Sequence, residues 1–325
     1  MLKNPFILNP MIKAGVFAMI LMAFASCNNN TSEPKGKDTD NSSTTAAAEQ
    51  KEPANEPPKE AAPPKEKITY TAWPLKGNDS AKKLLKEKFT EEERYIIYAL
   101  NRVDAKNYNR ADTLIIPDKI LTDFLGYSPF PASVTILNDV RKIIFFSYSI
   151  QAYAVYENGK LVKWGPTSMG SKAKQTPTGL SFSNWKSKRA ISTVKSEWIL
   201  PWNFNIRNKD GVGWHQYDLP GYPASHSCLR LLDADAQWLY GWADQWILKD
   251  NATLLANGTP VIVFGAYPWG ERRPWKNLLE NPEANNISEE MLKDEIAPNL
   301  EKILNAQRTR ETILAQTNTD NAKAI

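Results

Sequence analysis

Two cysteines and two histidines are all that the 325 residues contain of either type. That scarcity excludes a disulfide scaffold, a multi-cysteine zinc module and a Cys-x-x-Cys-His haem attachment. Charge of one sign is scarce too: 40 basic against 36 acidic side chains leave a formal +4, or +2 without Lys3 and Lys13 (4 minus 2). No Lys/Arg block stands out, so nucleic acid is not an expected partner. Long apolar runs are missing as well. The one near the start, Ala14–Ala25, is too short to span a bilayer as a helix. What remains is 42% apolar, enough to build a sizeable core.

Lys3 and Lys13 flank that apolar run, and small residues end it at Ser26-Cys27. Basic flank, apolar stretch and small residues read as a secretory signal over residues 1–26. Phe24-Ala25-Ser26-Cys27 resembles a bacterial lipobox, which would make Cys27 the lipidated first residue of the mature chain and its contact with a membrane; Ala23-Phe24-Ala25 also fits an ordinary cleavage site. The expected location is the cell envelope, lipid-anchored on the periplasmic face of the outer membrane. Residues 28–67 hold no Ile, Leu, Val, Met, Phe, Tyr or Trp, but six prolines and fourteen charges. Such a segment cannot bury a core and reads, over 27–67, as a disordered tether. Forty residues reach about 130 Å when taut and on the order of 35 Å as a coil.

From Ile68 the composition turns globular. Thr90-Glu-Glu-Glu93 is a capping box and predicts a helix over 91–103. Asn101-Arg102-Val103-Asp104 and Ala111–Pro117 resemble the closing part of a LysM glycan-binding module, within an accessory segment at 68–137. Runs at Ile143–Tyr148, Gln151–Tyr156 and Lys160–Trp164 are strand-like, with Asn158-Gly159 as a tight type I′ turn. Thr259–Gly265 reads as a buried closing strand. A helix is expected near 235–248 with Asp233 or Asp235 as its N-cap, and a broken one over 288–316, followed by a frayed polar end. Residues 138–267 are thus mostly β with an inserted helix, and 268–325 form a helical extension.

Both histidines and the second cysteine fall within fourteen residues, from His215 to Cys228. Three readings fit. His215, His226 and Cys228 can be three zinc ligands; they can be a buried thiol with two core histidines; or they can be a nucleophilic pair, in which a histidine takes the thiol proton. In an extended segment His226 and Cys228 project to one side. Spacing alone does not say which histidine is the base.

Ser225-His226-Ser227-Cys228-Leu229-Arg230-Leu231, preceded by His215 and followed by Asp235-Ala236 and Leu239-Tyr240, resembles the L,D-transpeptidase catalytic domain of YkuD type. Tyr153–Val162 resembles that family's first hairpin, and Gly165–Gly170 with Thr176-Pro177-Thr178-Gly179 the strand and loop beyond it. The resemblance implies a β-sandwich that uses no metal or organic cofactor, acting on peptidoglycan stem peptides and their glycan. It implies Cys228 as nucleophile, His215 as general base with its far nitrogen bonded to the Gln216 carbonyl, and His226 lining the site. It also implies an oxyanion hole from the N–H groups of Ser227 and Cys228, and substrate contacts at Ser225 and Arg230. Gln216 and Ser227 stand where the family carries glycine, which matters only if the backbone there needs a positive φ. Ten of the eleven tryptophans lie between Trp164 and Trp275; stacking on sugars and filling the core are both open to them.

Overall fold

The computed structural model describes residues 68–192 and 194–323. The chain divides into two compact units, Met1–Ala61 and Ala62–Ile325, and every described residue belongs to the second. The expectations for the signal segment, Cys27 and the tether lie outside the described residues.

Strand β1 (Tyr70–Pro74), helices α1 (Asp79–Lys88) and α2 (Glu91–Leu100), and strand β2 (Thr113–Pro117) come first; β1 and β2 pair antiparallel. The capping box at α2 forms as expected: Thr90 Oγ1 accepts from the Glu93 N–H, and Glu93 returns the bond to the Thr90 N–H. The helix stops at Leu100, short of 103, because Arg102 turns left-handed (φ 59°). Side-chain alternation splits this region between two cores. Leu114 and Ile116 pack with Leu75, Leu85 and Ile97, whereas Ile115, Ile96 and Leu100 join the main cluster of the molecule.

The main body has two larger sheets. One runs β5-β4-β3-β13-β6, from β3 (Ile143–Ser147), β4 (Ala152–Glu157), β5 (Lys160–Pro166), β6 (Gly179–Phe182) and β13 (Pro260–Phe264). The predicted hairpin turn between β4 and β5 is present, with Asn158 at φ 46° and Gly159 at φ 74° as a type I′ turn demands. The other runs β10-β9-β8-β7, from β7 (Lys186–Ile191), β8 (Ile199–Arg207), β9 (Val212–Gln216) and β10 (Leu229–Leu231). Every residue of β3 is buried, so it reads as an unbroken apolar run. One apolar cluster takes Phe145 and Val263 from the first sheet, Phe204, Trp214 and Leu229 from the second, and Trp275, Leu292 and Ile303 from the C-terminal extension. The overall class is therefore the expected one, β-sheets with helices inserted and appended.

Three helix expectations need correcting. The inserted helix is α3 (Asp233–Trp242); it begins earlier and ends six residues sooner than 248. The chain leaves it at Ala243, and beyond it β11 (Ile247–Lys249) pairs with β12 (Thr253–Ala256). Neither Asp233 nor Asp235 caps it: the N-cap is Leu232, without a side-chain bond, and Asp235 is buried 2.9 Å from Lys163. The last helices are α4 (Glu289–Ile296) and α5 (Leu300–Lys323), joined by a tight turn at Ala297–Asn299 around Pro298. Helix α5 runs beyond 316, and Arg310 anchors it by donating to the carbonyls of Gln245 and Asn257.

Candidate active site

Parallel pairing of β9 with β10 creates the site. Leu229 stands opposite Trp214, Arg230 opposite His215 and Leu231 opposite Gln216. Trp214, Leu229 and Leu231 are fully buried in the shared core. Because neighbouring residues of a strand alternate faces, His215 and Arg230 must point the other way. They point into a cavity of about 100 Å³ that Ser225, His226 and Cys228 also line. Five of the sequence-predicted residues thus share one cavity, while Gln216 and Ser227 are not among its lining. Among the described residues, no three His, Cys, Asp or Glu side chains are grouped to hold a metal ion.

His215 Nδ1 lies 2.8 Å from the Gln216 carbonyl oxygen. A carbonyl only accepts, so Nδ1 carries the proton and Nε2 keeps its lone pair. Burial, reinforced by the nearby Arg230 charge, brings the imidazole pKa down to about 4, so the ring is neutral near pH 7. Burial pushes the Cys228 thiol up, against the opposing pull of a Gly213 backbone hydrogen bond and the Arg230 charge. The resting pair is therefore a neutral thiol and a neutral imidazole lining one cavity, and a thiolate forms only when that proton moves.

The turn before Cys228 is built from side chains onto backbone. Ser225, buried, donates its hydroxyl to the Cys228 carbonyl at 2.5 Å. Thr176 Oγ1 accepts from the Gly170 N–H and donates to the Ser227 carbonyl, both at 2.9 Å, so the Thr-Pro-x-Gly loop braces the turn before Cys228. Ser227 itself has φ 82°, in the left-handed region that favours glycine. The extended reading of 226–228 is thus corrected: His226 and Cys228 share the cavity through a left-handed turn, and strand geometry starts only at Leu229. Gln216 has no positive φ, so its side chain is accommodated without strain. No acceptor among the described residues takes the N–H of Ser227 or Cys228, which leaves both donors for an oxyanion.

Arg230 packs its guanidinium 4.5 Å from the centre of the Tyr217 ring and donates to the Asp218 carbonyl at 3.4 Å. No carboxylate among the described residues pairs with it, so its fork is open to one brought by a ligand. His226 lies against Trp198, with ring centres 5.1 Å apart. Trp198 belongs to the β7–β8 connection, where Ile191 and Val194 stand 65% and 60% exposed at the rim.

Sequence reasoning missed several lining residues: Tyr217, Asn203, Asn205 and the β8–β9 turn at Asp210-Gly211. Only Tyr217 carried a signal, two residues after a strand-borne histidine. Of the tryptophans, Trp164, Trp214 and Trp275 fill the core, while Trp185 and Trp198 line the cavity.

Residues 141–263 match the family model of the L,D-transpeptidase catalytic domain, YkuD. No curated protein matches the chain. Among solved structures, an L,D-transpeptidase from Stackebrandtia nassauensis is similar at 26% identity and TM-score 0.32, over 39% of this chain and 57% of its own. An L,D-transpeptidase from Mycobacterium smegmatis is similar at 18% identity and TM-score 0.31, over 38% and 59%. L,D-transpeptidase 3 from Mycobacterium tuberculosis is similar at 21% identity and TM-score 0.31, over 38% and 61%. The chain spans about three fifths of the length of these proteins. Residues 141–263 therefore belong to the YkuD family of L,D-transpeptidase catalytic domains.

Proposed function

We propose that this protein is a cysteine-dependent L,D-transpeptidase that cross-links peptidoglycan stem peptides. The observation that carries the reading is the His215 ring: Nδ1 committed to the Gln216 carbonyl, Nε2 without a partner among the described residues, in one cavity with Cys228 and an Arg230 ion-paired with no carboxylate among them.

As Cys228 Sγ attacks the carbonyl at the L-centre of a stem-peptide diamino acid, His215 Nε2 takes the thiol proton. The N–H groups of Ser227 and Cys228 hold the oxyanion. Collapse breaks the C–N bond, and the imidazolium returns its proton to the departing D-amino acid. An amine of a second stem then attacks the thioester. The C–S bond breaks, His215 relays the amine proton to sulfur, and a 3→3 cross-link results. Arg230 holds a substrate carboxylate, and His226 with Trp198 walls the thiol from bulk water. Sensitivity to carbapenems accompanies such a thiol acylation. At the other end, a lipid on Cys27 would anchor the chain at the periplasmic face of the outer membrane, with 28–67 spanning toward the wall.

The test is incubation of the mature protein with disaccharide-tetrapeptide muropeptides, followed by mass spectrometry, with Cys228→Ala alongside. A dimer lacking one terminal D-residue, absent in the variant, is the expected product. Tripeptide monomer alone would identify an L,D-carboxypeptidase. Unchanged substrate with a folded protein would favour a wall-binding role without turnover.

A further inference from the structure

Two side chains in the catalytic cavity have no part in the chemistry above. Asn203 and Asn205 line it together with Cys228 and His215, and are only 4% and 3% exposed. The Asn203 Nδ2 donor and the Asn205 Oδ1 acceptor are both buried without a partner among the described residues. Native interiors leave few buried polar groups unpaired, since each forfeits its hydration for nothing. A donor and an acceptor left so in one cavity are a site waiting for a complementary group.

Their placement follows from strand geometry. Residues 203 and 205 share one face of β8, and Phe204 between them turns inward against Trp214. Asn205 stands opposite Gly213 and Phe204 opposite Trp214; the same register, carried one residue on, sets Asn203 beside His215. On the other flank of His215 stands Arg230. The base therefore sits between a carboxylate reader and a pair of amides. At Gly213 even a Cβ would lie 2.4 Å from the Phe204 carbonyl oxygen, so no side chain there screens the asparagines from the thiol.

We propose that Asn203 and Asn205 bind the peptide group on the acyl side of the bond that Cys228 attacks, and so restrict donors to those whose acyl residue is itself N-acylated. An asparagine amide offers one acceptor and a donor pair, which match the N–H and C=O of a single peptide unit. An ester at that linkage lacks the N–H and leaves the Asn205 acceptor buried and unpaired, whereas a free amine there lacks the carbonyl and leaves the Asn203 donor so. This inference rests on reading the site as an acyl-transfer centre.

The experiment compares a synthetic stem tetrapeptide with its depsipeptide analogue, in which an ester replaces the amide joining the acyl residue to its predecessor. Affinity is measured on the full mature protein carrying Cys228→Ala, and turnover on the protein with Cys228 intact. The amide should be preferred at least about tenfold, as expected where a buried polar group loses its partner. Asn205→Leu, similar in volume but unable to hydrogen-bond, should bring the two ligands within about twofold, while Asn203→Leu, which loses the bond to the carbonyl that amide and ester share, should weaken both about equally. Iodoacetamide labelling of Cys228 should be unchanged in both, which certifies a folded site. An Asn205→Leu variant that keeps the amide preference, or an Asn203→Leu variant that binds both ligands as tightly as the parent, overturns the proposal. So does equal affinity for amide and ester in the parent protein, even if it turns both over. Absence of Cys228-dependent turnover would instead defeat the acyl-transfer reading, while the binding comparison still decides the asparagines.

Discussion

Arg230 stands directly across from His215 in the parallel β9–β10 pair, so a permanent cation neighbours the buried base. That placement has two effects. It disfavours a second positive charge on the imidazole. It also sets a guanidinium fork, suited to a carboxylate, one strand away from His215.

Because Arg230 is ion-paired with no carboxylate among the described residues, it should act on substrate and little on stability. Arg230→Met is expected to raise KM for stem peptides with a free terminal carboxylate about 10- to 100-fold, equivalent to about 1.5–3 kcal/mol for a charge-assisted hydrogen bond. The corresponding terminal amide should feel the change about twofold or less. Arg230→Lys should restore only part of the loss, since an ammonium lacks the fork. Equal effects on acid and amide would assign Arg230 a structural role, read directly from steady-state kinetics on the two peptides.

The pH behaviour of His215 follows from its displacement from 6.5 to about 4. The folded protein disfavours the charged ring, so between those values the unfolded chain binds more protons than the native one. Stability should therefore fall as pH drops from about 6.5 to about 4, by up to about 3 kcal/mol, and level off below. His215→Gln should flatten this part of the curve, measured by urea denaturation at successive pH values. The acid limb of Cys228 acylation should likewise fall near pH 4, not near 6.5. An acylation limb that stays at 6.5 would show a base more solvated than this one.

That the histidines and the second thiol belong together was legible because their scarcity left few alternatives: two histidines and one thiol within fourteen positions. The hairpin was equally legible, because Asn158-Gly159 satisfies a turn that few other pairs can. Asn203 and Asn205 were not, since an asparagine in a strand looks the same whether it faces solvent or a cavity; only the pairing of β8 with β9 tells them apart. Helix α3 was misjudged because Leu239, Trp242 and Trp246 keep helical spacing past the point where the chain leaves it. Backbone capture decides there: the Asp244 N–H donates to Thr259 Oγ1 and the Trp246 N–H to the Asn184 carbonyl.

Ser227 holds a left-handed φ of 82° next to the nucleophile, and its hydroxyl recovers one bond to the Lys174 carbonyl at 3.2 Å. Glycine at this position should relieve the strain, offset in part by the entropy glycine adds to the unfolded chain. Ser227→Gly is expected to stabilise by about 0.5–1 kcal/mol, and Ser227→Val to destabilise by more than that. Because the oxyanion donor here is backbone N–H, acylation by Ser227→Gly should match or exceed the parent. A Tm that falls for glycine would mean that the hydroxyl bond outweighs the backbone strain.

Arg102 tests how far the catalytic body depends on the N-terminal helices. Its guanidinium is buried between the rings of Trp164 and Trp275, at 5.8 and 5.5 Å, and donates to the carbonyls of Ile150, Ala99 and Leu100. Burial pulls its pKa down to about 9, and cation–π contacts with carbonyl bonds stand in for a carboxylate. Removing the side chain orphans the buried carbonyls of Ile150 and Leu100, while Ala99 keeps the Arg102 N–H, and opens a gap between two tryptophans. Arg102→Met should therefore cost about 3–5 kcal/mol. Because Ile150 lies two residues before β4, in the sheet that holds β3, the loss should appear in the whole body. A single cooperative transition, with Cys228 becoming reactive to a bulky thiol reagent at the same denaturant concentration, is the expected result. Two separated transitions would show that the helices fold apart from the sheets, and that Arg102 bridges units that do not need each other.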